Sequence, residues 1–183
     1  MADEALLSHV PVPPGNVHRI PAETPDADKA AEEYANALRQ FFGLARGQFP
    51  RFDLVLLGMG PDGHTASLFP GTDAVREHTT IVVAPWIEKF HAHRITLTPP
   101  ALSNAVAVMF LVSGEEKAET LRAVLDGAYQ PDRFPVQVLR PVDGTLLWLV
   151  DRAAAHLLRL PGRRRGGVPR LPVRRRPVSR EMS

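Results

Sequence analysis

The chain has no cysteine among its 183 residues, so disulfide bridges and thiolate metal sites are excluded. That composition fits a reducing compartment, and a cytoplasmic location is expected. Aromatic residues are sparse at 7%, with two tryptophans and two tyrosines. Long apolar runs are also missing. The longest, Ala105–Val112, is far shorter than the ~20 residues of a membrane-spanning helix. No basic stretch followed by an apolar segment opens the chain, so no secretory leader is expected. No Walker A lysine follows the glycine-rich turn, no G-x-S-x-G elbow occurs, and there are no internal repeats.

Charge is present but unevenly placed. The net charge of +2 hides an acidic body and a basic end. Residues 159–183 hold nine arginines and one glutamate, which leaves residues 1–158 with a net charge of −6. Two regions are therefore expected: a domain over 1–158 and an arginine-rich tail over 159–183. The tail lacks apolar periodicity and reads as disordered. An arm for nucleic acid is the functional alternative. An unselected tail is the simpler reading, and no nucleic-acid partner is expected.

Hydrophobic residues make up 44% of the chain, enough for one ordinary core. The pattern predicts a strand near Val17–Ile20 and a helix from Thr24-Pro25 to about Leu44. Ala27, Ala31, Tyr34, Leu38, Phe41 and Phe42 recur at helical spacing along it. Strands are expected at 52–58, 80–84, 93–98, 105–112, 136–139 and 145–150. Short helices are expected at 64–69, 99–104, 113–125 and 152–158, the third opened by a capping box at Ser113. Strands alternating with helices imply a mostly parallel sheet with helices on both faces, an α/β fold.

The chemistry concentrates at Gly58-Met-Gly60-Pro-Asp62-Gly63-His64, directly after the apolar run Leu54–Leu57. Gly58, Gly60 and Gly63 permit a tight turn whose amides could face an anionic oxygen. His64 ends the turn and is a candidate base. Anion site and base together suggest a phosphorylated or carboxylated small molecule. The glycines match G-x-G-x-x-G, but Pro70 stops the following helix too early for a dinucleotide crossover, and no acidic residue ends the next strand. No nicotinamide or other cofactor is expected. His91 and His93 could share one side of a strand, but no third metal ligand is near, so no metal site is expected.

The longer stretch Gly58-x-Gly60-x-Asp62-Gly63-His64-x-Ala66-Ser67-Leu68-Phe69-Pro70-Gly71 resembles the signature of the 6-phosphogluconolactonase family. Arg94-Ile-Thr-Leu-Thr98 with the following Pro-Ala-Leu-Ser-Asn-Ala, and Ser113-Gly-Glu-Glu-Lys117, agree with it. Glucosamine-6-phosphate deaminases share the glycine core but differ where this chain has Ser67–Pro70. The resemblance implies a deaminase/ribose-phosphate-isomerase type of fold and hydrolysis of 6-phosphoglucono-1,5-lactone in the pentose phosphate pathway. It implies His64 as general base, Asp62 orienting the loop or the histidine, and Lys89 and Arg94 steadying phosphate or oxyanion. Each has a plainer alternative: a structural loop histidine, an Asx turn, a surface lysine and a salt-bridged arginine. A deaminase-like activity and a non-catalytic sugar-phosphate-binding fragment are the competing functions.

Members of that family carry an upstream Gly-Gly-Ser-Thr-Pro type phosphate loop and an Asp-Glu-Arg motif. Neither is present here. The opening Met1–Leu7 resembles the family helix that follows them. The expectation is a fold incomplete at the N-terminus, with impaired activity.

Overall fold

The computed structural model describes residues 2–159. The arginine-rich segment from 160 onward, and the expectation about its order, lie outside the described residues. Among the described residues, no helix is long and apolar enough to cross a membrane.

The centre is a parallel three-stranded sheet in the order β1 (Leu54–Gly58), β6 (Ala107–Val112), β7 (Thr145–Val150). The register sets Leu57 beside Phe110 and Phe110 beside Trp148. Strand side chains alternate between faces, so Val108, Phe110 and Val112 share one face of the central strand, and all three are buried. The Phe110 and Trp148 rings stack at 4.2 Å. Leu121 and Val124 of α4 (Ala118–Asp126) and Ala154 of α5 (Arg152–Ala155) join this core.

A second cluster forms where α2 (Ala27–Phe42) packs beside β2 (Val82–Val83), which pairs antiparallel with β5 (Thr96–Leu97). A small hairpin of β3 (Trp86–Ile87) and β4 (Ala92–His93) lies between them in sequence. Pro99 and Pro100 open α3 (Pro99–Ser103), where a missing N–H costs nothing. At the other end of the chain, α1 (Ala2–Ala5) is a short, wholly exposed turn.

The structure corrects several expectations. Val17–Ile20 forms no strand. The cap of α2 is Asp26, which accepts the Lys29 amide at 3.0 Å, rather than Thr24. The helix ends at left-handed Gly43 (φ +62°). Phe41 lies outside its buried stripe, at 68% exposure. The apolar residues Pro135–Val138 form a 3₁₀ turn, not a strand. At the start of α4 no Ser113 side-chain cap forms. Instead Asp151 accepts from the Gly114 and Ala154 amides. Residues 64–69 are turns with an isolated bridge between Thr65 and Leu68, not a helix.

Before β2, Glu77 accepts from the Thr79 hydroxyl and from the Thr79 and Thr80 amides. The bond from the Thr79 hydroxyl is the largest influence, and the Glu77 carboxyl is lowered to about 2. A lowered folded-state value stabilises the fold above the unfolded carboxylate range and is lost as pH falls toward 2. In an acid titration followed by circular dichroism, Glu77→Gln should flatten the stability loss between about pH 4.5 and 2. An unchanged slope would contradict this assignment. In urea unfolding, Phe110→Ala should cost about 3–5 kcal/mol, as for a fully buried aromatic; a loss below ~1 kcal/mol would contradict the placement of the core.

Candidate active site

The carboxyl ends of β1 and β6 meet at one edge of the sheet, where open α/β sheets place their ligands. β1 runs into the turn at 59–64 there. The turn closes on itself: the Gly60 amide donates to the His64 carbonyl at 2.9 Å, and the Gly63 amide to the Gly60 carbonyl at 3.0 Å. The His64 amide donates to Asp62 Oδ1 at 3.2 Å. Tertiary bonds clamp it from outside. The Thr120 hydroxyl on α4 donates to the Pro61 carbonyl at 2.6 Å, and the Val136 amide to the Gly63 carbonyl at 3.0 Å. Buried Thr65 donates its hydroxyl to the Gly58 carbonyl at 2.8 Å.

Two of the amides expected to face an anion, those of Gly60 and Gly63, therefore hold the turn together. The short helix expected at 64–69 is absent. What the glycines supply is room. A Cβ on Gly60 would fall 2.1 Å from His64 Nδ1 and 2.7 Å from Asp62 Oδ1. Gly63 has φ +78°, and a Cβ there would meet the Phe134 ring at 2.8 Å. Gly58 ends β1 and carries no such restriction.

His64 Nδ1 and Asp62 Oδ1 lie 2.5 Å apart, both side chains partly buried. Lys89 Nζ approaches the other carboxylate oxygen at 3.6 Å. Burial pushes the Asp62 carboxyl up. Hydrogen bonds from the His64 ring and amide, with the charges of His64 and Lys89, outweigh it and hold Asp62 below its ordinary value. Asp62 is thus a carboxylate at neutral pH. When neutral, an imidazole that donates Nδ1–H to it presents Nε2 as an acceptor.

The sequence carries no signal for the roles of Phe69 and Phe90, because the contacts that matter are not local. Phe69 is buried and stacks on the His64 ring at 4.1 Å and 22°. Phe90 meets Phe69 edge-on at 5.7 Å. Lys89 and Arg94 lie over the Phe90 ring at 5.7 and 5.5 Å. Among the described residues Arg94 makes no ion pair within 4.0 Å, so its recorded partner is the aromatic face. Asp62, Phe69, Lys89 and Thr72 border a cleft of about 440 Å³. A wider depression of about 710 Å³, around Leu44, Arg51 and Asp143, holds no base and lies apart from this cluster. His91 and His93 have separate neighbours: His91 faces Glu88 at 3.7 Å, and His93 Nδ1 sits 2.8 Å from the Ala84 carbonyl.

Residues 1–148 match the family model described as glucosamine-6-phosphate isomerases/6-phosphogluconolactonase. The chain belongs to that family. A 6-phosphogluconolactonase of Synechocystis sp. is 38% identical over 87% of this chain and 65% of its own length. The 6-phosphogluconolactonase of Rattus norvegicus is 44% identical over 85% of this chain and 59% of its own. The crystal structure of 6-phosphogluconolactonase from Leishmania guyanensis superposes with a TM-score of 0.70 at 28% identity, covering 84% of this chain and 65% of that one. The chain thus spans about 60% of the length of the curated relatives it matches.

Gly60→Ala should expel the imidazole from the Asp62 carboxylate at a cost of about 1–3 kcal/mol, the range for an overpacked site. Proton NMR should then lose the downfield, hydrogen-bonded Nδ1–H resonance of His64. Retention of that resonance would contradict the steric role of Gly60.

Proposed function

We propose that the chain carries the base of a hydrolase for 6-phosphoglucono-1,5-lactone, with residues 1–158 as the lactonase-like unit, acting in the cytoplasm. The observation that carries this reading is the His64–Asp62 pair at 2.5 Å, with Lys89 beside it at the border of a cleft. Family membership and the names of the relatives support it.

In this reading His64 Nε2 takes a proton from water as the water oxygen attacks the lactone carbonyl. The carbonyl π electrons move to oxygen, giving a tetrahedral oxyanion. Asp62 stabilises the imidazolium formed at that moment. When the oxyanion collapses, the bond from the carbonyl carbon to the ring oxygen breaks. The imidazolium returns its proton to that oxygen, and 6-phosphogluconate leaves. Each step is a proton transfer or an acyl transfer, so one positioned base and nearby positive charge suffice. Lys89 and Arg94 are the cations assigned to the phosphate or the oxyanion. Gly58, Gly60 and Gly63 shape the wall against which the substrate sits.

His64→Ala should lower lactone turnover above the spontaneous rate by ~10²–10⁴-fold, the usual worth of a general base. Equal turnover in the variant would remove His64 from the reaction. If the unaltered chain binds 6-phosphogluconate yet never exceeds spontaneous hydrolysis, the non-catalytic reading replaces this one. Ammonia release from glucosamine 6-phosphate would point instead to a deaminase.

A further inference from the structure

The cleft of about 440 Å³ beside the His64–Asp62 pair has one wall to which the mechanism above gives no task. That wall is the β3–β4 hairpin: Trp86, Ile87, Glu88 and Lys89 line the cleft together with Asp62, Phe69 and Thr72. Neighbouring residues of a strand point to opposite sides. Ile87 is 3% exposed and anchors the hairpin, whereas Trp86 is 49% exposed. A large aromatic left half in water forgoes part of its burial energy. The indole is nevertheless held. Its Nε1–H donates to Glu88 Oε2 at 2.9 Å. Its cross-strand partner His93 meets the ring edge-on at 5.2 Å, and His93 Nδ1 sits 2.8 Å from the Ala84 carbonyl.

Charge decides which part of a sugar phosphate this wall suits. The charged residues lining the cleft are Asp62, Glu88 and Lys89, two anions and one cation. The cation is already engaged, with Lys89 Nζ 3.6 Å from Asp62 Oδ2. Such a lining disfavours a dianionic phosphate. Arg94, over the Phe90 ring, is not among the lining residues and remains for the phosphate. The neutral part of the substrate fits better. A six-membered sugar lactone presents C–H bonds on its faces and hydroxyls around its rim. We propose that Trp86 and Glu88 are specificity-determining residues that read this ring. The indole packs against a C–H face, and the Glu88 carboxylate accepts from ring hydroxyls. The inference rests on the sugar-phosphate reading of the site and extends it to the hydroxylated ring. A carboxylate offers about four acceptor positions. The indole N–H takes one, and His91 Nδ1 lies 3.7 Å from the other oxygen, so acceptors remain for neighbouring hydroxyls. Because the indole holds the carboxylate, apolar surface and acceptors form one preorganised unit. Aromatic lining with a few placed polar groups is the usual make-up of a small-molecule site. A phosphate ester without a ring engages neither residue.

The chain has two tryptophans, and Trp148 is stacked on Phe110 in the core, so a ligand-induced change in indole emission reports Trp86. The probe is glucose 6-phosphate, which carries a hydroxylated six-membered ring and a phosphate but no lactone to hydrolyse. Glycerol 3-phosphate is the control without a ring. Glucose 6-phosphate should shift the emission of the unaltered chain, and glycerol 3-phosphate should not. In calorimetric titration, Trp86→Ala should weaken glucose 6-phosphate binding about tenfold, near the worth of one well-packed aromatic contact. Glu88→Gln should weaken it by a smaller factor, and Trp86→Phe should recover most of the loss. Glycerol 3-phosphate binding should be the same in all of them. Unchanged glucose 6-phosphate affinity in Trp86→Ala or Glu88→Gln would overturn the proposal. Equal weakening of both ligands would also overturn it, since Trp86 would then only hold the hairpin in place. Failure of the unaltered chain to bind glucose 6-phosphate would overturn it as well. All these readings are taken without turnover, so failure of the base assignment, read from His64→Ala hydrolysis, is a separate result.

Discussion

At residue 60 there is no space for a side chain, because an imidazole and a carboxylate already occupy it. The remainder of the site follows from that restriction. The turn is closed by its own amides, so the ring of His64 and the carboxylate of Asp62 meet within five residues of chain. Among the described residues, bonds from Thr120 and Val136 tie the turn to the body of the molecule. The imidazole and its carboxylate partner are therefore a local construction at the end of β1. The cations are not. Lys89 belongs to the connection between β3 and β4, and Arg94 follows β4 directly. Both reach His64 through the Phe90 and Phe69 rings.

This division has an electrostatic consequence. Asp62 stands between an imidazole and an ammonium, one on each oxygen. Its charge is shared, and its ionised form is favoured over its burial. A carboxylate so placed holds the histidine in one tautomer. The flat stack of Phe69 limits the ring to one orientation. Such an arrangement suits a base that must take up a proton and release it again.

Much of this was readable in the residues. The apolar runs at β1, β6 and β7 announced a parallel sheet, and Pro99-Pro100 announced a helix start. The fourteen-residue stretch from Gly58 to Gly71 contains the His64–Asp62 pair and its Phe69 neighbour. The failures share a physical origin. At 135–138 a short apolar run satisfied strand, buried turn and helix equally, and the bond from the Val136 amide to Gly63 decided for a turn. At 64–69 the bridge between Thr65 and Leu68 and the Thr96 hydroxyl on the Ser67 amide replaced the expected helix. Asp26 outcompeted Thr24 as a cap by two residues, within the ordinary uncertainty of helix ends. The roles of Phe69 and Phe90 were invisible because they depend on neighbours brought together only by folding.

The most direct measurement is the pH dependence of kcat/KM for 6-phosphoglucono-1,5-lactone, compared between the unaltered chain and Asp62→Asn. If the carboxylate stabilises the imidazolium of a general base, the rate rises as one group loses its proton. Removing the negative neighbour then lowers the plateau. A profile that is flat, or that Asp62→Asn leaves in place, would contradict the assignment of the pair as the working base.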